Sequence, residues 1–180
     1  MLTLPAVIVL VGPPASGKTW LRQRLTGAGL DPELAVGLDD LRRAARARAL
    51  AAGEPVRRLQ DYSHTAVRAA AQRQQALLDA GTGYLSDATN LRRRERVAHV
   101  RAAAAAGLPA VALLLPHLSL AELLARDAVR PPDERVPADI VSAFAHRRSL
   151  LDADLLRAEG FAAVHDVDDR TEFRVTVPLG

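Results

Sequence analysis

An unbroken apolar run, AVIVLV at positions 6–11, leads straight into Gly12-Pro13-Pro14-Ala15-Ser16-Gly17-Lys18-Thr19. No other feature constrains the fold as strongly. Six apolar residues in a row suit a strand buried on both faces, which belongs inside a parallel sheet. The next eight fit G-x-x-x-x-G-K-[ST], a pattern with mechanical meaning only between a strand and a helix. Residues from Lys18 to about Leu25 read as that helix. The glycines let the backbone wrap a phosphate, while loop N–H groups and the helix N-terminus supply partial positive charge. Lys18 is the single lysine among 24 Lys and Arg residues. Its amine can reach the outer phosphates as a compact charge, whereas a guanidinium is bulkier and holds its donors in a fixed fork.

Downstream, strand and helix signals alternate. Strands are expected at 34–38, 82–87, 110–115, 163–167 and 173–177. Helices are expected at 41–52, at 64–81, from Asn90 as N-cap to Gly107, from the capping box of Ser119 to before Pro131, and from Pro137 to about Arg157. This alternation predicts an α/β P-loop NTPase fold, with a central parallel sheet of about five strands flanked by helices. The 180 residues, 49% apolar but only 3% aromatic, suit one domain over 1–180 with a core of Leu, Val and Ala. No repeat or linker interrupts it, and RPPDERVP at 130–137 is the most loop-like stretch.

Several function classes fall away. With no cysteine, disulfides and thiolate chemistry are excluded, which agrees with a reducing cytosol and a cytoplasmic location. The apolar start lacks a basic n-region, so it reads as a strand and not as a signal peptide. No run approaches the ~20 apolar residues of a membrane span, and no membrane partner is expected. Histidines 64, 99, 117, 146 and 165 show no metal-ligand spacing and are assigned to surface or core. The net charge of +3 is too mild to argue for or against nucleic acid. A guanine-specific N-K-x-D motif would need a second lysine. An AAA-type motor would need a longer chain and an apolar strand ending in Asp-Glu, neither of which is evident. A short chain with one nucleotide site suggests a small kinase.

Three clusters could serve an acceptor. In GLDDLRR (37–43), Asp39 could take the proton of an attacking hydroxyl, with Arg42 one helical turn away. A helix cap with a solvated arginine accounts for the same residues equally well. In LSDATNL (85–91), Asp87, Thr89 and Asn90 fit an acceptor wall or ordinary strand-to-helix turn chemistry. In ARDAVRPPDER (125–135), Arg126 and Arg130 stand four apart on one helix face. They read as a lid that neutralises transition-state charge, or as a solvated basic face.

The ordered set GPPASGKT, LDDLR, SDATNLRRRER, ARDAVR and RVPADIV resembles the P-loop kinase domain of polynucleotide 5′-hydroxyl kinases. These include bacteriophage polynucleotide kinase and the kinase modules of bacterial RNA end-healing enzymes. The resemblance spans roughly residues 5–168. It implies an ATP- and Mg²⁺-dependent kinase acting on the 5′-hydroxyl of RNA or DNA, with a helical lid at about 119–137. Gly12 to Thr19 would cradle the ATP phosphates, and Thr19 would ligate Mg²⁺. Asp39 would be the general base and Arg42 would bind a phosphate of the acceptor strand. Asp87, Thr89 and Asn90 would line the acceptor side, and Arg126 and Arg130 would be lid arginines, Arg130 on the ATP phosphates. Trp20 departs from the pattern, because relatives often carry there a Ser or Thr that can meet the α-phosphate. Familiar members usually carry a phosphatase or ligase domain, so this chain is expected to be a lone kinase or to work beside separate enzymes. The same broad group includes small-molecule kinases and toxins that phosphorylate nucleotide sugars. A metabolite, sugar nucleotide or antibiotic acceptor is therefore the alternative, and a nucleotide-dependent switch or ATPase comes third. Aromatic residues able to stack on bases are few: Trp20, Tyr62, Tyr84, Phe144, Phe161 and Phe173. The oligomeric state stays open.

Overall fold

The computed structural model describes residues 1–55 and 57–176. Its elements run β1 (Leu2–Thr3), β2 (Ala6–Val11), α1 (Lys18–Gly27), β3 (Ala35–Gly37), α2 (Leu38–Ala51), α3 (Ser63–Asp79), β4 (Gly83–Asp87), α4 (Arg93–Ala105), β5 (Ala110–Leu114), α5 (Leu120–Ala128), α6 (Ala138–Ser149), α7 (Ala153–Ala158), β6 (Ala163–Asp166) and β7 (Val175–Thr176). Five strands form one parallel sheet in the order β3-β4-β2-β5-β6. The expected α/β fold is the one observed.

The central strand β2 is buried along its whole length, and its alternating side chains feed two core layers. Val7, Val9 and Val11 join Ala70 and Leu78 of α3 and Ala103 of α4. Ile8 and Leu10 join Leu21 and Leu25 of α1 on the opposite face. The period of two along a doubly covered strand produces this division. All strands point the same way, so their C-terminal ends gather at one edge, where open α/β sheets bind ligands.

Four local expectations are corrected. The second helix starts at Leu38, which brings Asp39 and Asp40 into its first turn, where a helix dipole favours carboxylates. Asn90 does not cap α4. It is buried with φ +47°, a conformation Asn tolerates better than most residues, and the helix starts three residues later with Glu95 accepting from the Arg92 amide at 3.3 Å. The long helix expected from Pro137 breaks between α6 and α7. There the Arg148 side chain donates to the carbonyls of Leu115 (2.8 Å) and Leu151 (2.9 Å), and the Asp152 carboxylate accepts from the Leu155 amide at 2.8 Å. Finally, the terminal strand pairs in parallel with β1 in a separate two-stranded sheet; its expected last residue, Val177, lies outside the described residues.

The first turns of α4 are fastened to the end of α7 by a buried ion pair, and Arg96 Nη1 also donates to the Asn90 carbonyl at 3.2 Å. Arg96 donates through Nε (2.7 Å) and Nη2 (2.6 Å) to the two oxygens of Glu159.

Candidate active site

The loop between β2 and α1 takes the conformation its residues were expected to allow. Gly17 has φ +101°, a left-handed value that a side chain would strain. A Cβ at Gly12 would lie 2.7 Å from the Ser16 hydroxyl, inside the cradle. That hydroxyl is buried and has no hydrogen-bond partner among the described residues, an arrangement that fits an anion supplied from outside. The Lys18 amine donates to the carbonyls of Pro13 (2.7 Å) and Gly12 (3.2 Å). Burial pulls its pKa from 10.5 down to about 8; Asp87 and Asp39 counteract the shift and Arg130 adds to it. The amine therefore shares an electrostatic neighbourhood with Asp87, Asp39 and Arg130.

The turn after β4 is pinned to the same loop. The Gly12 amide donates to the Thr89 carbonyl at 3.0 Å, and the Asn90 amide nitrogen donates to the Leu10 carbonyl at 2.8 Å. Asn90 thus joins the ends of β2 and β4. Asp87 lies at the end of β4 with its side chain only 10% exposed. Burial raises its pKa, against the opposing charges of Lys18 and Arg22.

Asp39 and Arg42 meet as the sequence suggested, with Arg42 Nη1 2.6 Å from Asp39 Oδ1. Arg42 Nε also donates to the Ser63 hydroxyl at 3.1 Å, which donates in turn to the Gln60 carbonyl at 2.6 Å. The guanidinium is therefore held from two sides. Among the described residues it keeps unused N–H donors, and the second Asp39 oxygen stays open to an incoming group.

Arg126 and Arg130 are not equivalent. The helix ends at Ala128, so Arg130 lies beyond it and the two do not share a helix face. The Arg130 amide donates to the Asp127 carbonyl at 3.1 Å, and its side chain approaches Asp127 Oδ1 at 3.5 Å. Asp127 Oδ2 accepts from the Val136 amide at 2.9 Å, which folds 130–136 back over the end of α5. Arg126 is exposed on the last turn of α5, and its charge is felt by Glu122. Thr19 and Trp20 are exposed at the head of α1, Trp20 at 43%. The guanidinium of Arg24 lies 4.8 Å from the Trp20 ring centroid.

Arg22 escaped the reading of the sequence. Its Nη1 bridges Asp40 Oδ2 and Asp87 Oδ2, the latter at 3.2 Å. It stands four residues after Lys18 on α1, so helical spacing places the two on one face. That spacing was the only available signal, because both acidic partners come from other elements.

A family model described as "AAA domain" matches residues 7–151. No curated protein matches the sequence. Among solved structures, AvrRxo1-ORF1:AvrRxo1-ORF2 with sulphate ions superposes with TM-score 0.67 at 17% identity, over 92% of this chain and 55% of that one. This chain therefore spans just over half the length of that relative. A candidate kinase from Chloroflexus aurantiacus superposes with TM-score 0.63 at 20% identity, over 90% of this chain and 88% of the other. At these identities the likeness is one of fold. No described helix is long and apolar enough to cross a membrane.

Proposed function

We propose that this chain, which belongs to the AAA domain family and has a P-loop kinase-like fold, transfers the γ-phosphate of ATP to the 5′-hydroxyl of RNA or DNA. The observation that carries this reading is the Asp39–Arg42 pair, held at the head of α2 and within electrostatic reach of Lys18. A loop that only bound and hydrolysed nucleotide would not require a carboxylate and a cation fixed together within electrostatic reach of the amine.

In this reading the open oxygen of Asp39 accepts the hydroxyl proton. The freed oxygen attacks the γ-phosphorus, and the bond to the β–γ bridging oxygen breaks. Lys18 and Arg130 neutralise charge on the transferring group. Arg42 uses its unused donors to bind a phosphate beside the attacking hydroxyl, as a guanidinium fork does well. The partnerless Ser16 hydroxyl and the glycine cradle fit the phosphates. Thr19 would hold Mg²⁺, which when bound neutralises the β- and γ-phosphate oxygens. Arg126, Asp87, Thr89 and Asn90 belong to the same reading, Arg126 as a lid residue that moves toward the donor and the other three as the wall beside the acceptor. Trp20 borders the donor side. A small-molecule acceptor is the second reading, favoured because, among the described residues, Trp20 on α1 is the only aromatic in the set of exposed large apolar side chains.

The test offers γ-labelled ATP and Mg²⁺ with 5′-hydroxyl RNA and DNA strands, with 5′-phosphorylated strands as controls. Label confined to the 5′-hydroxyl strands is the expected result. ATP binding without label on any strand would overturn the polynucleotide reading in favour of a small acceptor. Asp39→Asn should abolish transfer while ATP affinity is kept; substantial residual transfer would remove Asp39 from the role of base.

A further inference from the structure

A cavity of about 620 Å³ lies between α3 and α4, floored by β4. That volume falls within the range of small-molecule sites. It stays open because its facing helix positions are small: Ala70 and Ala71 on α3, Ala98 and Ala102 on α4. It also reaches Leu38, the neighbour of Asp39 in the chain, and Ala88, the neighbour of Asp87. The cavity thus begins beside both carboxylate-bearing segments and runs along β4 away from the phosphate loop.

Its floor is polar and uncharged. Tyr84 Oη lies 2.8 Å from His99 Nδ1, and His99 Nε2 lies 3.2 Å from both Ser86 Oγ and Asn90 Oδ1. The Asn90 amide nitrogen is committed to Leu10 and Ser86. Burial lowers the His99 pKa to about 4, so the ring is neutral and carries one N–H. If that hydrogen is on Nε2, Tyr84 donates to Nδ1 and the Ser86 hydroxyl hydrogen is left over. If it is on Nδ1, Ser86 donates to Nε2 and the Tyr84 hydroxyl hydrogen is left over. In either tautomer one floor hydroxyl has a hydrogen to give and no acceptor within the cluster. On the α3 wall, Gln75 is engaged by Asp79 at 2.8 Å, whereas the amide of Gln74 has no hydrogen-bond partner among the described residues.

We infer that this cavity receives a nucleobase, the heterocycle of the acceptor's 5′-terminal nucleoside, between the alanine walls of α3 and α4. A neutral flat ring fits the alanine walls and the uncharged floor, while Arg92, Arg94 and Glu95 line the cavity where α4 begins. A ring nitrogen or carbonyl accepts the free floor hydroxyl hydrogen, and the Gln74 amide supplies the donor and acceptor pair that matches a base edge. The inference rests on the 5′-hydroxyl reading and gives that acceptor a specificity pocket distinct from the groups that handle phosphate.

The test has two arms. In the first, adenosine, guanosine, cytidine and uridine are titrated calorimetrically into the protein, with a non-hydrolysable ATP analogue saturating the donor site. Wild type should bind at least one nucleoside. Ala98→Phe, which adds a ring on an exposed helix position, should weaken binding roughly tenfold or more, as loss of a base contact does. Ala71→Phe is the independent second filling variant, and both should keep the wild-type affinity for the ATP analogue. No nucleoside binding, or binding unchanged in both variants, overturns the pocket. In the second arm, strands with a base-bearing or an abasic 5′-terminal sugar compete for phosphorylation. A KM roughly tenfold higher for the abasic strand in wild type, and equal KM values in Ala98→Phe, support the pocket. Equal KM values in wild type overturn it while leaving the kinase reading intact. Failure of every strand to accept phosphate overturns the polynucleotide reading, and the first arm then decides the pocket by itself.

Discussion

Arg43 grips Glu134 with two parallel hydrogen bonds, Nε to Oε1 at 3.0 Å and Nη2 to Oε2 at 2.8 Å. One turn along α2, Arg46 pairs with Asp133. Together they bind the 3₁₀ turn Pro132–Glu134 to the helix that carries Asp39. The segment following Arg130 is thereby tied to α2 by contacts that involve neither Lys18 nor the phosphate loop.

Cutting this tie should affect the reaction more than the fold. Both pairs are partly exposed, where an ion pair contributes at most about 1 kcal/mol. Arg43→Ala and Glu134→Ala should each lower Tm by no more than roughly 4 °C, yet raise the KM for ATP several-fold through a less well placed Arg130. The double variant should add little to either single one. Unchanged KM in both single variants would show that the tie does not position the arginine.

Lys18 illustrates a conflict between function and stability. Its folded pKa of about 8 is below the unfolded 10.5, so between these values the unfolded chain binds more protons and stability rises with pH. Lys18→Met should remove that rise, seen as a lower slope of urea-unfolding free energy against pH between pH 8 and 10 than in wild type. It should also raise Tm at pH 7 by roughly 3–6 °C while reducing transfer by about 10³-fold or more. A lower Tm in the variant would mean that the amine's bonds to Pro13 and Gly12 outweigh its desolvation.

His99 predicts the behaviour in acid. It is neutral in the fold down to about pH 4 and titrates near 6.5 when unfolded, so its contribution is complete above pH 6.5 and is lost as pH falls toward 4. The loss is at most about 1.4 kcal/mol per pH unit. Its hydrogen-bond neighbours, Tyr84, Ser86 and Asn90, bring no charge; Tyr84 is itself pushed up to about 12 by burial. Urea unfolding at pH 7, 5.5 and 4.5 should show His99→Gln with a shallower decline than wild type.

The Arg96–Glu159 pair should behave in the opposite way to the surface ties. Its side chains are 2% and 3% exposed, so removing one partner strands a charge in the core. Arg96→Met alone should cost about 3–5 kcal/mol, read as a Tm drop of roughly 6–15 °C. Arg96→Met with Glu159→Leu should recover most of it. A single variant as stable as wild type would show that Arg93, whose Nε lies 3.9 Å from Glu159 Oε1, takes over the carboxylate.

The strand, the glycine loop and the head of α1 were legible in the residues because their determinants are local. The Asp39–Arg42 contact was legible for the same reason, since three residues on a helix make one turn. Asn90 was misread as a cap because its local chemistry suits one; the Leu10 carbonyl that claims its side chain lies 80 positions earlier. The break between α6 and α7 was hidden similarly, since Arg148 reaches for a carbonyl 33 positions away.

The sequence by itself determined a phosphate-binding loop inside a parallel sheet, through the order of apolar, glycine-rich and helical stretches. Only the tertiary structure decided that Arg22 bridges Asp40 and Asp87, that Arg43 holds a residue 91 positions away, and that α3 and α4 leave a cavity beside β4. Local propensity acts over one or two turns of chain. Ion pairs and cavities depend on which side chains meet once the strands have stacked in an order unlike their order in the sequence.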